Sequence, residues 1–210
     1  DAKGIIINAP TGDFSKEDAD KVIAYLEKGG NALFVPTVVD VEMTNFDSVL
    51  AYYGVSVVDG VIVEEDREHY YQNPYYLFPE IASDDITDQL TNGAVFAPFS
   101  RGLTYDDMAE DVYYTPLLTT SADSFSKVGV SNGEDYSRQE GDIEGPFVVG
   151  LKAEKETGSG EISRALFVSS ENLFTDMADD MTPGNNEKLF CSMISSLADH
   201  ESVVGIQDKS

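Results

Sequence analysis

Residues 4–36 constrain the fold more than any other part of this sequence, because they contain a complete strand, helix and strand unit. Residues 4–7 form a short, continuous apolar run, which is typical of a strand that is buried on both faces. Residues 32–35 form a second run of the same kind. A helix that joins two such strands packs back onto the sheet with one handedness. The two strands are therefore predicted to be parallel.

The helix between these strands is predicted to begin near Ser15, whose hydroxyl suits the N-cap position, with Asp18 three residues later. Apolar residues recur at i, i+3, i+4 and i+7, which places them on one face. They are Ala19, Val22, Ile23 and Leu26. Gly29 and Gly30 suit the left-handed conformation that ends a helix.

A second helix is predicted at residues 44–53, with Thr44 or Asn45 as its cap. Residues 55–58 and 61–63 are rich in valine and flank an Asp-Gly dipeptide that favours a tight turn. These two runs form either a hairpin or one strand with a bend. Both interpretations are compatible with the sequence.

The remaining predicted elements lie in the second half of the chain. Residues 147–153 and 164–168 are separated by a Gly-Ser-Gly turn, so they are predicted to form an antiparallel hairpin. Residues 185–198 carry an apolar face and predict a helix that packs on the core. Further short strands are predicted at residues 94–99, 116–120 and 203–206.

Two stretches lack periodicity. Residues 64–92 are rich in tyrosine and are predicted to be a long loop or insertion, and residues 131–145 are predicted to be an exposed, mobile loop. We therefore expect residues 1–210 to form one α/β domain. Its central sheet is expected to be mostly parallel and flanked by helices, in a flavodoxin-like arrangement, with antiparallel strands in the C-terminal half.

The charge balance limits the partners of this chain. Its 13 Lys and Arg residues stand against 39 Asp and Glu residues, which gives a formal net charge of −26. Nucleic acids and anionic membranes attract cationic patches, and the sequence has no cluster of Lys and Arg. We expect a negatively charged, soluble surface and no binding to nucleic acid.

No catalytic group is recognisable. Cys191 lies inside the last predicted helix, which favours a buried, inert thiol, and a single cysteine excludes an internal disulfide. Ser169 and Ser170 lack the glycines of a nucleophile elbow and favour helix capping. His69 and His200 have no partner in the sequence. The chain is therefore predicted not to be an enzyme.

Cofactor and metal sites are not predicted either. Neither a GxGxxG nor a Walker sequence is present, which argues against a nucleotide cofactor. Three groups of acids offer oxygen atoms to Ca²⁺, but none has EF-hand spacing. They are Glu64, Glu65 and Asp66; Asp106, Asp107, Glu110 and Asp111; and Asp176, Asp179 and Asp180.

Candidate contacts for a ligand or partner lie where predicted strands end, because α/β sheets bind ligands at the carboxyl ends of their strands. They are Thr11, Arg101, Glu171 and Asn172. Arg101 either pairs with a carboxylate or holds an anionic group. A second candidate surface consists of Tyr70, Tyr71, Tyr75 and Tyr76. These rings either contact a sugar or a partner protein, or cover the sheet.

Several segments, in order, resemble one known family. They are residues 7–35, 54–64 (GVSVVDGVIVE), 98–103 (PFSRGL), 145–155 (GPFVVGLKAEK), 165–176 (ALFVSSENLFTD) and 184–198 (GNNEKLFCSMISSLA). Together they resemble the extracytoplasmic domain of the gliding-motility-associated auxiliary components of ABC transporters. The chain departs from the family pattern at residues 83–85 and 169–172.

The resemblance implies an extracytoplasmic, non-enzymatic domain with a class I glutamine amidotransferase-like fold, anchored in a bacterial membrane by helices that this chain lacks. It implies ABC transporter permease and ATPase subunits, or other envelope proteins, as partners. The leading hypothesis is thus an accessory domain of an ABC-type export or gliding system. The alternatives are a carbohydrate-binding module that uses Tyr70–Phe78, and a hydrolase on the amidotransferase-like scaffold.

Overall fold

A computed structural model describes residues 2–90, 93–129 and 136–198 of the 210-residue chain. The helices in these ranges are α1 (Lys16–Leu26), α2 (Thr44–Ala51), α3 (Asp176–Met181) and α4 (Asn185–Ala198). The strands are β1 (Gly4–Asn8), β2 (Asn31–Val35), β3 (Val55–Val57), β4 (Val61–Val63), β5 (Tyr70–Tyr71), β6 (Asn73–Leu77), β7 (Glu80–Ile81), β8 (Ala97–Pro98), β9 (Leu103–Tyr105), β10 (Val112–Thr119), β11 (Phe125–Lys127), β12 (Ile143–Glu144), β13 (Val148–Glu156) and β14 (Ile162–Val168). Every helix in the described ranges is too short or too polar to cross a bilayer.

The main sheet has eight strands and is mixed. Its order is β1, β2, β14, β13, β10 and β7, while β9 pairs with both β13 and β3. Only the pairs β1–β2 and β2–β14 are parallel, and the other pairs are antiparallel. The expected mostly parallel, flavodoxin-like sheet is therefore wrong. Parallel neighbours need long crossover connections, usually helices, and the described residues between Ala51 and Asp176 contain no α-helix.

The opening unit has the predicted form. Strands β1 and β2 are parallel, with Gly4 opposite Asn31 and Asn8 opposite Val35. The Ser15 side chain accepts a hydrogen bond from the Asp18 N–H and caps α1, as predicted. The prediction that β1 is buried on both faces is wrong, because β1 is the edge strand of the sheet and its residues are exposed or half-buried.

Helices pack on both faces of the sheet. Helices α1 and α2 pack on one face over Phe34 and Phe167, whose rings stack with centroids 5.2 Å apart. Helix α4 packs on the other face, where Leu189 and Met193 belong to the same core cluster as Leu33. Strand β2 lies between these helices and all of its residues are buried. The hydrophobic core is therefore centred on β2 and β14.

The middle of the chain differs most from expectation. Residues 55–58 and 61–63 form neither a hairpin nor one bent strand, because β3 pairs with β9 and β4 pairs with β11 in a three-stranded sheet. The turn between them does need glycine. Gly60 has φ +91°, and a Cβ at this position would lie 2.3 Å from the Lys127 carbonyl oxygen.

Much of the Tyr-rich segment is strand instead of loop. Strands β5, β6 and β8 form a second three-stranded sheet, and β7 joins the main sheet beside β10. Residues 91 and 92 lie outside the described ranges. In the other predicted loop, β12 pairs with β11, and residues 130–135 lie outside the description. The strand predicted at residues 203–206 lies outside it as well.

Helix α2 is capped from a distant part of the chain. Neither Thr44 nor Asn45 caps it, since its N-cap residue is Met43, which makes no side-chain cap bond. Instead the Asp13 carboxylate accepts hydrogen bonds from the backbone N–H groups of Asn45 and Phe46, at 3.0 and 2.9 Å. Partial desolvation raises the pKa of Asp13, but the hydrogen bonds from Phe46 and Asn45 outweigh it and hold the pKa below its usual value of 3.8.

Truncating the central ring tests the core. Phe34→Ala is expected to lower the free energy of unfolding by about 3 to 5 kcal/mol, because it removes a fully buried ring stacked on Phe167. Met108→Ala, at a residue that is 82% exposed, serves as the control and is expected to change it by less than about 0.5 kcal/mol. Urea denaturation measures both. Equal effects would contradict this description of the core.

The cap makes a pH-dependent contribution to stability. Because the folded-state pKa of Asp13 is lowered, the stabilisation is present above the unfolded-state pKa and is lost as the pH falls through the folded-state pKa. Asp13→Ala is therefore expected to lower the urea midpoint at neutral pH, and the difference from the wild type is expected to shrink below about pH 4. A difference in urea midpoint that stays constant from neutral pH to below about pH 4 would contradict the role of the Asp13 carboxylate as the cap of α2. Asp123→Ala, at an exposed acid, is the control.

Candidate functional site

A cleft of about 430 Å³ opens at the carboxyl ends of β1 and β2. Pro10 and Pro36 follow these two strands and form one wall, and a proline there ends strand pairing because it lacks the N–H donor. The opposite wall comes from α2 and β3, which contribute Phe46, Leu50 and Val57. The cleft thus lies where the chain leaves the two parallel edge strands, as expected for a sheet of this kind.

Arg101 is the cation of the cleft. Its Nη1 donates a hydrogen bond to the Thr37 carbonyl and its Nη2 donates one to the Val58 carbonyl, both at 3.1 Å. The closest carboxylate oxygen in the described residues belongs to Asp59, 4.0 Å from Nη2. The sequence left open whether Arg101 pairs with a carboxylate or holds an anion. In the structure it forms a long ion pair with Asp59, and its guanidinium also ties the segment after β2 to the turn after β3.

The electrostatic environment of Arg101 follows from its burial. Burial lowers the pKa of the guanidinium, and the negative charges of Asp59 and Asp47 oppose this shift. Desolvation also raises the pKa of Asp47. The positive charge of Arg101 opposes this shift, and the negative charge of Asp13 adds to it. An arginine remains protonated under these conditions, since its ordinary pKa is far above neutrality. Arg101 is therefore a fixed positive charge in the lining of an acidic cleft.

Carboxylates dominate the rest of the cleft. The acids that line it are Asp40, Glu42, Asp47 and Asp59. Apolar side chains stand between them, namely Val39, Val41, Met43 and Val57. Because four carboxylates outnumber the single guanidinium among the lining residues, the net charge of the cleft is negative.

The residues after β14 support the cleft from behind. The Ser169 hydroxyl donates to the Arg101 carbonyl at 2.5 Å, and the Ser170 hydroxyl donates to the Pro98 carbonyl at 2.6 Å. Both serines are buried. The prediction that these serines cap a helix is wrong, because Thr175 caps α3. The two hydroxyls hold the segment around Arg101 in place.

The predicted contact residues divide between the cleft and other places. Arg101 lines the cleft, Thr11 follows the lining residue Pro10, and the Glu171 carboxylate accepts a hydrogen bond from the hydroxyl of Thr37, another lining residue. The Asn172 carbonyl accepts a hydrogen bond from the Thr175 hydroxyl at 2.8 Å. Sequence reasoning missed the acids of the cleft, because local acidic groups are unremarkable in a chain with 39 of them.

The four predicted tyrosines lie elsewhere, and one of them is inaccessible. Tyr75 is completely buried, with its ring stacked on Phe99 at 5.8 Å. Tyr76 packs edge-on against Phe99, and Tyr70 is half-buried. Only Tyr71 of the four is exposed, at 48%. The rings therefore pack mainly on their own small sheet, and Tyr75 is out of reach of any ligand.

The other described residues considered for catalysis or metal binding are not among those that line the cleft. The thiol-bearing residue Cys191 is exposed, so the prediction that it is buried is wrong. His69 has a local partner that the sequence analysis missed, since its Nδ1 lies 2.9 Å from an Asp66 carboxylate oxygen. The buried Glu64 carboxylate accepts hydrogen bonds from the N–H and hydroxyl of Ser121, at 3.1 and 2.6 Å. His200 lies outside the described residues.

Within residues 2–90, 93–129 and 136–198, no three His, Cys, Asp or Glu side chains come together in a way that could hold a metal ion. The Glu64 oxygens accept hydrogen bonds from the Asp66 N–H and from the N–H and hydroxyl of Ser121.

Comparison with known proteins bears on the fold. No family model matches this chain, and no curated protein matches it. A solved structure described as the mmIFT52 N-terminal domain matches with a TM-score of 0.63 and 15% sequence identity, over 95% of this chain and 79% of that one. The two share a fold. At this identity, the match carries no information about shared function.

These findings correct the family assignment. The chain was expected to belong to the auxiliary components of ABC transporters, with an amidotransferase-like fold and a role in export or gliding. That expectation is wrong, because the matched structure is the mmIFT52 N-terminal domain and no family model supports the transporter assignment. The resembling segments correspond largely to common elements, such as the opening unit and the β13–β14 hairpin, which occur in many unrelated proteins.

Arg101 is expected to matter for stability. Arg101→Leu leaves the Thr37 and Val58 carbonyls without their donor and is expected to lower the free energy of unfolding by about 2 kcal/mol. Arg101→Lys is expected to recover only part of this loss, because a single ammonium group cannot reproduce the planar fork of donors. Arg67→Leu is the control, and chemical denaturation is the measurement. Full recovery by lysine would contradict the two-carbonyl arrangement.

Proposed function

We propose that this domain is a non-catalytic protein-binding module whose cleft holds a basic, partly apolar segment of a partner protein. The observation that carries the proposal is the composition of the cleft. Four carboxylates and several apolar side chains line it together with one guanidinium that is hydrogen-bonded to the backbone. Lys and Arg side chains match this surface, because their hydrocarbon stems pack on apolar groups while their charged ends stay near carboxylates.

The charge of the whole chain supports the same partner. A net charge of −26 produces a negative field that accelerates the approach of cationic partners and repels anionic ones. The apolar wall of Val41, Met43 and Phe46 adds contact area beside the carboxylates. Electrostatic attraction thus brings the partner to the cleft, and apolar contact adds to the affinity.

The state of the potential nucleophiles supports a binding role over a catalytic one. The Ser169 and Ser170 hydroxyls are buried and donate to backbone carbonyls. Cys191 lies on the exposed side of α4, and Cys191 is not among the cleft-lining residues. His69 is hydrogen-bonded to Asp66 and is likewise not among the lining residues. Nucleophilic catalysis needs a nucleophile and base in contact, and these groups do not provide that pair.

Peptide binding tests this function. Short peptides in which Lys and Arg alternate with Val and Leu are expected to bind, and matched peptides with Glu in place of Lys and Arg are not. Affinity is expected to fall as salt is added, because salt screens the carboxylates. The double variant Glu42→Gln, Asp47→Asn is expected to bind these peptides about tenfold more weakly. It loses two partly exposed charge pairs of moderate strength between the cleft and the peptide. Isothermal calorimetry measures these differences.

The control for this experiment is Asp123→Asn, which removes an exposed acid that does not line the cleft. It is expected to bind like the wild type. Equal losses in the control and in the cleft variant would show a general charge effect and would contradict a defined site. Binding of the Glu peptides would contradict the proposed partner chemistry.

A further inference from the structure

The edge strand β1 is covered less completely on one face than on the other. Ile5 and Ile7 point towards the layer formed by α1 and α2 and pack against its core cluster. Ile6 points to the opposite face and is 50% exposed. On that face α4 packs mainly on β2 and β14 and approaches β1 at Gly4, where a Cβ would lie 3.3 Å from the Leu197 Cβ. Ile6, two residues further along β1, is left partly uncovered beside α4.

Ile6 lies on the floor of a groove of about 670 Å³, called the β1 groove below. Leu33 and Val35 lie beneath this floor and are themselves buried, so Ile6 is its exposed apolar side chain. The wall of the groove includes Phe174 and Phe190, whose ring centroids lie 4.9 Å apart. The β1 groove shares no lining residue with the acidic cleft. It is therefore a separate surface of the same domain.

The wall of the β1 groove is acidic. Asp176, Asp180 and Glu187 line it and are exposed. Within the described ranges, no Lys or Arg lies within salt-bridge distance of these three carboxylates. Asp179 also lines the groove, but one of its oxygens accepts the Glu187 N–H at 2.8 Å. Three carboxylates therefore flank an apolar floor without neutralising partners from the described chain.

We propose that the β1 groove docks an amphipathic, basic helix of a partner protein. The partly uncovered Ile6 beside α4 has the position at which another helix of an α/β layer would pack on the sheet. A helix places apolar side chains at i, i+3, i+4 and i+7 on one face, which matches a groove with an apolar floor. Lys or Arg at the flanking positions would then lie opposite Asp176, Asp180 and Glu187.

This docking goes beyond the proposed function of the cleft, which needs no helical partner. The two surfaces are separable by mutation because they share no residue. A partner that engaged both would gain avidity from two linked contacts.

The test uses helical peptides as probes. A panel carries Leu, Ile or Phe at i, i+3, i+4 and i+7, Lys at the flanking positions, and one Trp on the apolar face. The chain itself contains no Trp, so tryptophan fluorescence of the peptide reports binding without a protein background. Saturable binding with a blue shift of the emission is expected for at least one member. A matched peptide with a central proline, which breaks the helix, is expected to lose binding.

Two variants probe the floor and the wall. Ile6→Thr keeps a β-branched residue on the strand and is expected to weaken binding about fivefold, from lost apolar contact. Ile162→Thr is its matched control, at a residue that is 37% exposed on β14 and does not line the groove. Glu187→Lys is expected to weaken binding about threefold without touching the floor, while Asp123→Lys is not. The cleft variant Glu42→Gln, Asp47→Asn is expected to bind the helix normally.

Four results would overturn the proposal. The absence of saturable binding by every helical peptide would exclude a helical partner of this chemistry. Equal binding of the proline peptide would assign the surface to an extended segment. Binding that appears only after removal of residues 199–210 would show that the chain's own terminus competes for the groove. Concentration-dependent dimerisation in analytical ultracentrifugation that Ile6→Thr abolishes would assign the groove to a second copy of the chain.

Discussion

The complete burial of β2 is the constraint on which this structure depends. β2 pairs with β1 on one side and β14 on the other, and helices cover both of its faces. Asn31, at its first position, donates to the Leu197 carbonyl at 2.9 Å and accepts from the Arg164 N–H at 3.0 Å. This side chain joins β2, β14 and the end of α4, since a buried amide needs partners for both its donor and its acceptor. The position of α4 relative to the sheet is thereby set.

Both proposed surfaces follow from that arrangement. The acidic cleft opens where β1 and β2 end at Pro10 and Pro36, and the β1 groove opens where the cover of α4 ends. Each combines apolar side chains with carboxylates that face solvent. In a chain with a net charge of −26, we expect such surfaces to favour cationic partners over nucleic acids and anionic membranes.

Predictions from the sequence succeeded where local pattern decides the structure. The opening unit, the Ser15 cap, the β13–β14 hairpin and the bounds of α4 all have clear periodicity or turn signals, and all are present. Cys191 was wrongly predicted to be buried, although its position two residues from Leu189 places it on the opposite side of the helix. Among the residues that line the cleft, Arg101 was predicted as a candidate contact at the end of a strand. Its acids were not, since nothing local distinguishes them from other exposed carboxylates.

The sequence by itself determined the β1–α1–β2 unit, the C-terminal helix and a strongly acidic surface, because residue spacing and charge are local properties. Only the tertiary structure decided that β3 and β4 join different sheets, that Tyr75 is buried, and that Asp13 caps α2. Backbone donors and acceptors are alike in every strand and helix end, so the local pattern does not name their distant partners. Those partners are chosen when the whole core packs, and the choice left one face of Ile6 uncovered.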